Sequence, residues 1–381
     1  MGATGEKFSA AEEQFMRLAL RLARRGYGGT SPNPMVGAVI VRDGELLGEG
    51  WHKRAGEPHA EINAIAAARR ARKELRGATI FVTLEPCCTF GRTPPCTTAL
   101  IESGIREVIV GATDPKTEHS GRGFKVLQKA GLLVRTGLLA DECTQLNEAF
   151  NHWVVEKRPF VICKCAMSLD GKIATNSGES KWITGPKARL FGMKLRLGAD
   201  AIVAGVNTIL RDDPALNLRA EKGVKIPAWK TWRRIVFDPN GRIPETARVL
   251  NDELAAATTT VVVTNAAPTR KIATLEKKTR VVIAPSKKGE LDLRWLMKQF
   301  GKEGITALLV EGGGETHYSF LRQDLVNRVY FFYAPLVITG RNAAKGVGGD
   351  RSLRAGRGRG LREVEWSKIG DDLLCTALVR E

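Results

Sequence analysis

The residues best equipped for chemistry in this chain fall in three short pieces: His59-Ala60-Glu61, Pro86-Cys87 and Pro94-Pro95-Cys96. One imidazole and two thiolates are a sufficient protein ligand set for Zn²⁺ and leave a fourth position for water. Water activated at such a centre would add to a C–NH₂ carbon of a heteroaromatic ring, while Glu61 carries its proton to the departing ammonia. His59, Cys87 and Cys96 are therefore the candidate metal ligands and Glu61 the candidate catalytic residue. Taken singly, His59 is more simply a helix-capping histidine and the cysteines are core residues; the joint pattern carries the metal. Cys88, next to Cys87, has to point elsewhere and stays outside the set.

Three elements must bring these residues together. His59 begins an Ala-rich helix expected over 58–73, Cys87 follows a strand over 79–84, and Cys96 opens a short helix over 97–103. Proline suits the first positions of a helix, and a helix N-terminus favours the thiolate that a metal needs. Around them, Ser9-Ala10-Ala11-Glu12 forms a capping box. Residues 36–41 read as a strand turning at Asp43-Gly44. Further strands are expected over 108–110 and 132–136, with a helix over 123–130 between them. Strands alternating with helices predict an α/β layered domain.

A chain of 381 residues exceeds one ordinary core, so two domains are expected, 1–150 and 158–381. The βα alternation restarts at Phe160 with strands over 161–166, 201–204, 234–237, 260–263, 280–283 and 307–310. Two antiparallel edge strands, 328–333 and 373–379, close the chain, and no internal repeat is visible. No apolar run is long enough for a membrane span, and the opening residues fit neither a signal peptide nor a myristoylation site, so a cytoplasmic protein is expected. The 7 cysteines form no disulfide framework. The net charge of +18 invites nucleic acid, but the basic runs are scattered and the 6% aromatic residues do not interleave with them. A solvated basic surface that attracts a small phosphorylated substrate is the preferred reading, with no nucleic acid and no membrane as partner.

His-x-Glu followed by Pro-Cys resembles the zinc nucleoside deaminases, although eight residues rather than two separate Cys87 from Cys96. A deaminase acting on nucleic acid remains an alternative at this point. The stretch Glu85-Pro86-Cys87 to Gly91-Arg92-Thr93-Pro94-Pro95-Cys96, with Ala55 to Glu61 and Asn33-Pro34-Met35-Val36-Gly37, resembles the bifunctional deaminase/reductase family of riboflavin biosynthesis. That resemblance implies a cytidine-deaminase-like three-layer N-terminal domain, zinc on His59, Cys87 and Cys96, and Glu61 as proton shuttle. It also implies that Asn33 and the Gly91-Arg92-Thr93 loop hold a phosphorylated pyrimidine. Members of that family often carry histidines where Thr89 and Phe90 stand here.

The resemblance continues through Lys164 to Gly171, Gly178 to Thr184, Asp212 to Leu216 and Val310 to Thr316. Physically these segments say less. Gly312-Gly313-Gly314 is either a phosphate-binding loop at a helix start or a flexible turn. Arg196 and Arg219 are either phosphate contacts or surface arginines. Lys164, inside an apolar strand, is costly to bury unless it faces a pocket. The resemblance implies a dihydrofolate-reductase-like domain binding NADPH through Ala166, Trp182, Thr208, Asp212, Gly313, Gly314, Glu315, Thr316, His317, Tyr318 and Ser319. Ser180, Arg196, Leu216, Arg219 and Glu311 would hold the ribose-phosphate substrate while hydride passes to C1′ of its opened form. A homo-oligomer formed through the reductase domain is implied as well. A catalytically silent scaffold is the alternative that residue patterns leave open for this half.

Overall fold

The computed structural model describes residues 8–90, 94–117, 119–221, 223–287, 289–349, 352 and 358–380. The chain divides into two compact units, Met1–Glu156 and Lys157–Glu381.

The first unit opens with α1 (Ala10–Arg24), β1 (Gly37–Arg42), β2 (Glu45–Trp51) and α2 (Ala60–Arg70). It continues with β3 (Thr79–Leu84), α3 (Cys96–Glu102), β4 (Glu107–Ala112), α4 (Arg122–Lys129) and β5 (Leu133–Thr136), and ends with α5 (Ala140–Leu146) and α6 (Glu148–Glu156). α1 starts at a full capping box, in which Glu12 N–H donates to Ser9 Oγ and Ser9 N–H donates to the Glu12 carboxylate. Asp43 and Gly44 both take positive φ, which gives the β1–β2 hairpin a tight turn matched to strand twist. The sheet runs β2-β1-β3-β4-β5, antiparallel at β2-β1-β3 and parallel from β3 to β5. Side chains alternate across it. Ala38 and Ile40 of β1 pack with Ala64 and Ala68 of α2, Leu100 of α3 and Leu127 of α4. Val39 and Val41 pack on the other side with Met16 and Leu20 of α1 and Cys143 of α5. The result is a helix–sheet–helix sandwich.

The second unit begins with β6 (Phe160–Ser168), α7 (Pro186–Gly198), β7 (Ala201–Gly205), α8 (Val206–Asp212) and β8 (Arg233–Phe237). Next come α9 (Arg248–Asn251), α10 (Ala255–Thr258), β9 (Thr259–Val263), α11 (Thr269–Glu276) and β10 (Arg280–Ile283). The ribbon β11 (Ser286–Lys287) and β12 (Glu290–Leu291) leads into α12 (Leu293–Lys302), β13 (Ala307–Val310) and α13 (Gly314–Arg322). β14 (Arg328–Ala334), β15 (Leu361–Ile369) and β16 (Asp372–Val379) finish the unit. Its sheet order is β10-β9-β8-β7-β13-β6-β14-β16-β15, parallel from β10 to β14. Strands covered on both faces carry continuous apolar runs, as Val261–Val263 and Leu308–Val310 do here. Leu296, Met297 and Phe300 of α12 with Phe320 of α13 cover one face, and Ile209 of α8 with Leu275 of α11 cover the other.

Two departures from the sequence reading concern the last strands. β14 and β16 are both interior, β14 between β6 and β16 and β16 between β14 and β15, and β15 is the edge on this side of the sheet. β15 escapes a periodicity search because none of its residues is buried, so Leu361-Arg-Glu-Val-Glu-Trp-Ser-Lys-Ile shows no apolar alternation.

Candidate active sites

The first site depends on how closely α2 lies on β2. A Cβ added to Gly48 or Gly50 would come within 2.4 Å of the Ala64 backbone, so bare glycine lets the helix seat on the strand. His59 is the N-cap of α2, yet its ring makes no capping bond. Its Nδ1 instead stands 3.6 Å from Cys87 Sγ, just past β3, and 3.3 Å from Cys96 Sγ, at the start of α3. The three donor atoms lie within 4.8 Å of one another. Tetrahedral zinc with ordinary Zn–N and Zn–S bonds separates its ligands by about 3.6 Å, so the donor set fits zinc in both type and spacing. The Cys96 backbone N–H donates to Cys87 Sγ at 3.3 Å, a further aid to a thiolate. Hydrogen bonding between the two sulfurs holds the Cys87 pKa low and the Cys96 pKa high. His59 is pushed up by its bond to Cys87. Cys88 lies outside the converging group.

Glu61, in the first turn of α2, is buried. Burial, then the nearby Cys87 charge, pushes its pKa up to about 6, near neutrality, where a carboxyl can both take and give a proton. A cavity of about 390 Å³ opens in front of these groups, lined by Asn33, His52, His59, Glu61, Cys87 and Thr89 among others. His52 Nδ1 faces the Pro58 carbonyl at 3.2 Å and its Nε2 faces Asn33 Nδ2 at 3.1 Å. The carbonyl requires a proton on Nδ1, so Nε2 accepts from Asn33 and fixes that amide, leaving Asn33 Oδ1 as the acceptor on offer. Burial lowers the His52 pKa. Phe90 is largely exposed and takes no part in the cavity wall. Gly91-Arg92-Thr93 lies outside the described residues.

Sequence reasoning missed a further part of the cavity wall, which contains Asp114, Lys116 and His119. Glu85 builds it: its carboxylate accepts from the N–H groups of Asp114, Gly121 and Gly123 at 3.1, 3.0 and 2.9 Å. The available signal was a buried carboxylate at a strand end with no basic neighbour in sequence.

In the second unit, β13 enters the sheet between β6 and β7, and a crevice forms at the carboxyl ends of the parallel strands, where such sheets bind ligands. A cavity of about 530 Å³ occupies it, lined by Ser180, Thr208, Asp212, Gly313, Gly314, Glu315, Thr316 and Ser319 together with other residues. Gly313 N–H donates to Thr208 Oγ1 at 3.1 Å, and Ser180 Oγ donates to Asp212 Oδ1 at 2.9 Å. A Cβ at Gly312 would fall 2.6 Å from Ala204 Cα, and one at Gly314 would fall 2.2 Å from the Lys345 carbonyl. These two glycines are packing requirements, while Gly313 presents open backbone to the cavity at the start of α13.

The other expected residues stand elsewhere. Ala166 packs beside Phe332 and Phe191, and Trp182 is 69% exposed under the Arg189 guanidinium. His317 is buried between the Gly346 and Val310 carbonyls, and the Tyr318 ring lies under Arg322. Leu216 packs its side chain in the core with Ile202 and Trp232. Arg219 is exposed beside Glu221 at 3.8 Å. Arg196 and Glu311 form a bidentate pair at 2.9 and 2.6 Å. Burial opposes ionisation of Glu311, but the charges of Arg196 and Lys164 overcome it and hold its pKa at about 2.

The fold and these two sites define a two-part enzyme, a zinc deaminase unit followed by a reductase unit. Residues 9–112 match the cytidine and deoxycytidylate deaminase zinc-binding region, and residues 159–375 match the RibD C-terminal domain. The riboflavin biosynthesis protein RibD of Actinobacillus pleuropneumoniae is 40% identical over 96% of this chain and 94% of its own. That of Aquifex aeolicus is 40% identical over 95% and 97%. Among solved structures, Acinetobacter baumannii RibD superposes with a TM-score of 0.85 at 32% identity, covering 97% of this chain and 99% of its own. A diaminohydroxyphosphoribosylaminopyrimidine deaminase/5-amino-6-(5-phosphoribosylamino)uracil reductase of Thermotoga maritima gives 0.80 at 33%, with the same coverage. The chain belongs to the RibD family of bifunctional riboflavin biosynthesis enzymes, with a cytidine-deaminase-like first unit and a dihydrofolate-reductase-like second unit.

Proposed function

We propose that the first unit hydrolytically deaminates 2,5-diamino-6-(5-phosphoribosylamino)pyrimidin-4-one and that the second reduces the ribosyl side chain of the product to ribityl with NADPH. The observation that carries this reading is the convergence of His59 Nδ1, Cys87 Sγ and Cys96 Sγ at a cavity lined by His59, Cys87 and buried Glu61. Zinc held there supplies a water nucleophile at neutral pH. Asn33, oriented by His52, accepts from the pyrimidine amino groups, and Glu61 takes the water proton and delivers it to the leaving nitrogen.

In the second unit, Thr208, Asp212 and the run Gly313, Gly314, Glu315, Thr316 and Ser319 hold the cofactor, with its phosphates at the start of α13. NADPH supplies the hydride. Ser180, Arg196, Glu311 and the segment carrying Leu216 and Arg219 hold the ribose phosphate. The edge strand β15, exposed from Leu361 to Lys368 with Trp366 at 60% exposure, supports a homo-oligomer through this unit. All seven cysteines are free thiols, in keeping with a cytoplasmic protein. A coupled assay with zinc content measured tests the reading. Stripping zinc with a chelator abolishes ammonia release while NADPH consumption on pre-deaminated substrate persists. Ammonia release that survives full zinc removal overturns it.

A further inference from the structure

The segment joining α8 to β8 carries two residues in left-handed backbone, Asp213 at φ 40° and Leu216 at φ 50°. Aspartate tolerates that region, but a leucine stays there only when its surroundings impose it. Two restraints do so. The Leu216 side chain is drawn into the core, where it is 4% exposed. The residues on either side of it are held by Arg234, a fully buried arginine on β8. Arg234 Nη1 donates to the Ala215 carbonyl and to Asn217 Oδ1, both at 3.0 Å. The same guanidinium is anchored to Asp252 at 2.5 and 2.8 Å and to Thr258 Oγ1 at 3.1 Å.

A second guanidinium meets this one at Asn217. The Asn217 carbonyl accepts from Arg196 Nη1 at 2.7 Å, while Arg196 Nε and Nη2 are committed to the Glu311 carboxylate. Arg196 has five N–H donors. Three are occupied by these contacts, and one on each Nη is left over for an anionic or hydroxyl-bearing ligand. The Asn217 main chain thus fixes the rotation of the Arg196 fork from one side and Glu311 fixes it from the other. Asn217 is itself fixed by Arg234.

We infer that Asn217 is a positioning residue of the reductase site: its side-chain oxygen, held by Arg234, sets the left-handed segment and, through its own carbonyl, the direction in which Arg196 presents its remaining donors to the substrate's ribose phosphate. The inference rests on the proposed placement of substrate at Arg196 and Glu311. Removing the Asn217 side chain strands no buried donor, because Arg234 keeps Asp252 and Ala215. The substitution therefore loosens the segment without breaking the core.

Steady-state reductase kinetics of the full chain, with 5-amino-6-(5-phosphoribosylamino)uracil as the varied substrate, test this. Asn217→Ala raises KM for that substrate about tenfold, the size expected for a lost hydrogen bond to a charged group, with kcat, the cofactor KM and ammonia release within about twofold of wild type. Asn217→Asp, which keeps an acceptor oxygen towards Arg234, restores KM to within about twofold. Arg196→Lys, which keeps the charge but loses the fork, also raises substrate KM. If Asn217→Ala leaves KM unchanged, or lowers kcat and alters both KM values together as general destabilisation would, the positioning role is wrong. If Arg196→Lys also leaves KM unchanged, the substrate placement itself fails and takes the inference with it.

Discussion

Glu61 is buried beside the His59, Cys87 and Cys96 donor atoms, and burial pushes its pKa up to about 6. An exposed glutamate would be too weak a base to take a proton from water and too strong an acid to hold it. Raising its pKa towards neutrality serves both halves of the transfer. Its position two residues after His59 places it in the first turn of α2, outside the donor triad. Glu61→Gln preserves shape and leaves all three donors in place. We expect one zinc per chain by metal analysis, ammonia release lowered by about 10²–10⁴-fold, and unchanged reduction of pre-deaminated substrate. Loss of zinc together with activity would show that Glu61 serves the metal and not the proton. His52 adds a lesson at the same scale: a histidine beside the donor triad acts here as a clamp on Asn33 and stands outside that triad.

Elements decide what those residues can reach. Arg196 near the end of α7 and Glu311 just after β13 tie a helix to the strand that splits the second sheet. The folded pKa of Glu311, about 2, lies below its ordinary value of 4.5. The pair's stabilisation is therefore fully present above about pH 4.5 and is lost as pH falls through 2. Glu311→Gln, which leaves Arg196 buried without its counter-charge, costs about 3 kcal/mol at pH 7. Chemical denaturation of the second unit at a series of pH values should show that deficit shrinking towards zero near pH 2, because wild type then loses the same charge. A deficit constant across pH would mean that the pair contributes by packing alone. This pair was invisible in the sequence, since its members are 115 residues apart and meet only through sheet order. The convergence of His59, Cys87 and Cys96 was legible because each sits at an element boundary that proline, alanine and apolar runs announce locally. The alternation of strands and helices was legible for the same reason. The insertion of β13 between β6 and β7 was not, because strand order is set by long-range packing. β15 was hidden by the absence of any buried face, and the loop wall behind Glu85 by bonds made to backbone rather than to side chains.

At the scale of the whole molecule, the two chemistries share a chain and a charge. A net charge of +18 favours anionic ligands over cationic ones at long range, an effect that salt screens over about 10 Å at 0.1 M. The helix–sheet–helix core of the first unit is built from residues between Met16 and Cys143, and the second unit has its own cores from Val161 onward. Each candidate site is likewise assembled from residues of a single unit. A domain with its own core and its own site has what it needs to fold and work alone. Cutting the chain between Glu156 and Lys157 should thus give two active pieces. The N-terminal piece is expected to retain one zinc and to release ammonia within about tenfold of the intact rate, and the C-terminal piece to consume NADPH on deaminated substrate within the same margin. The decisive measurement pairs circular dichroism with each assay. A piece that keeps its secondary structure but loses its reaction would show that the other unit completes the site, whereas two folded, active pieces that no longer run the sequence efficiently at low substrate would assign the covalent link to transfer of the intermediate between them.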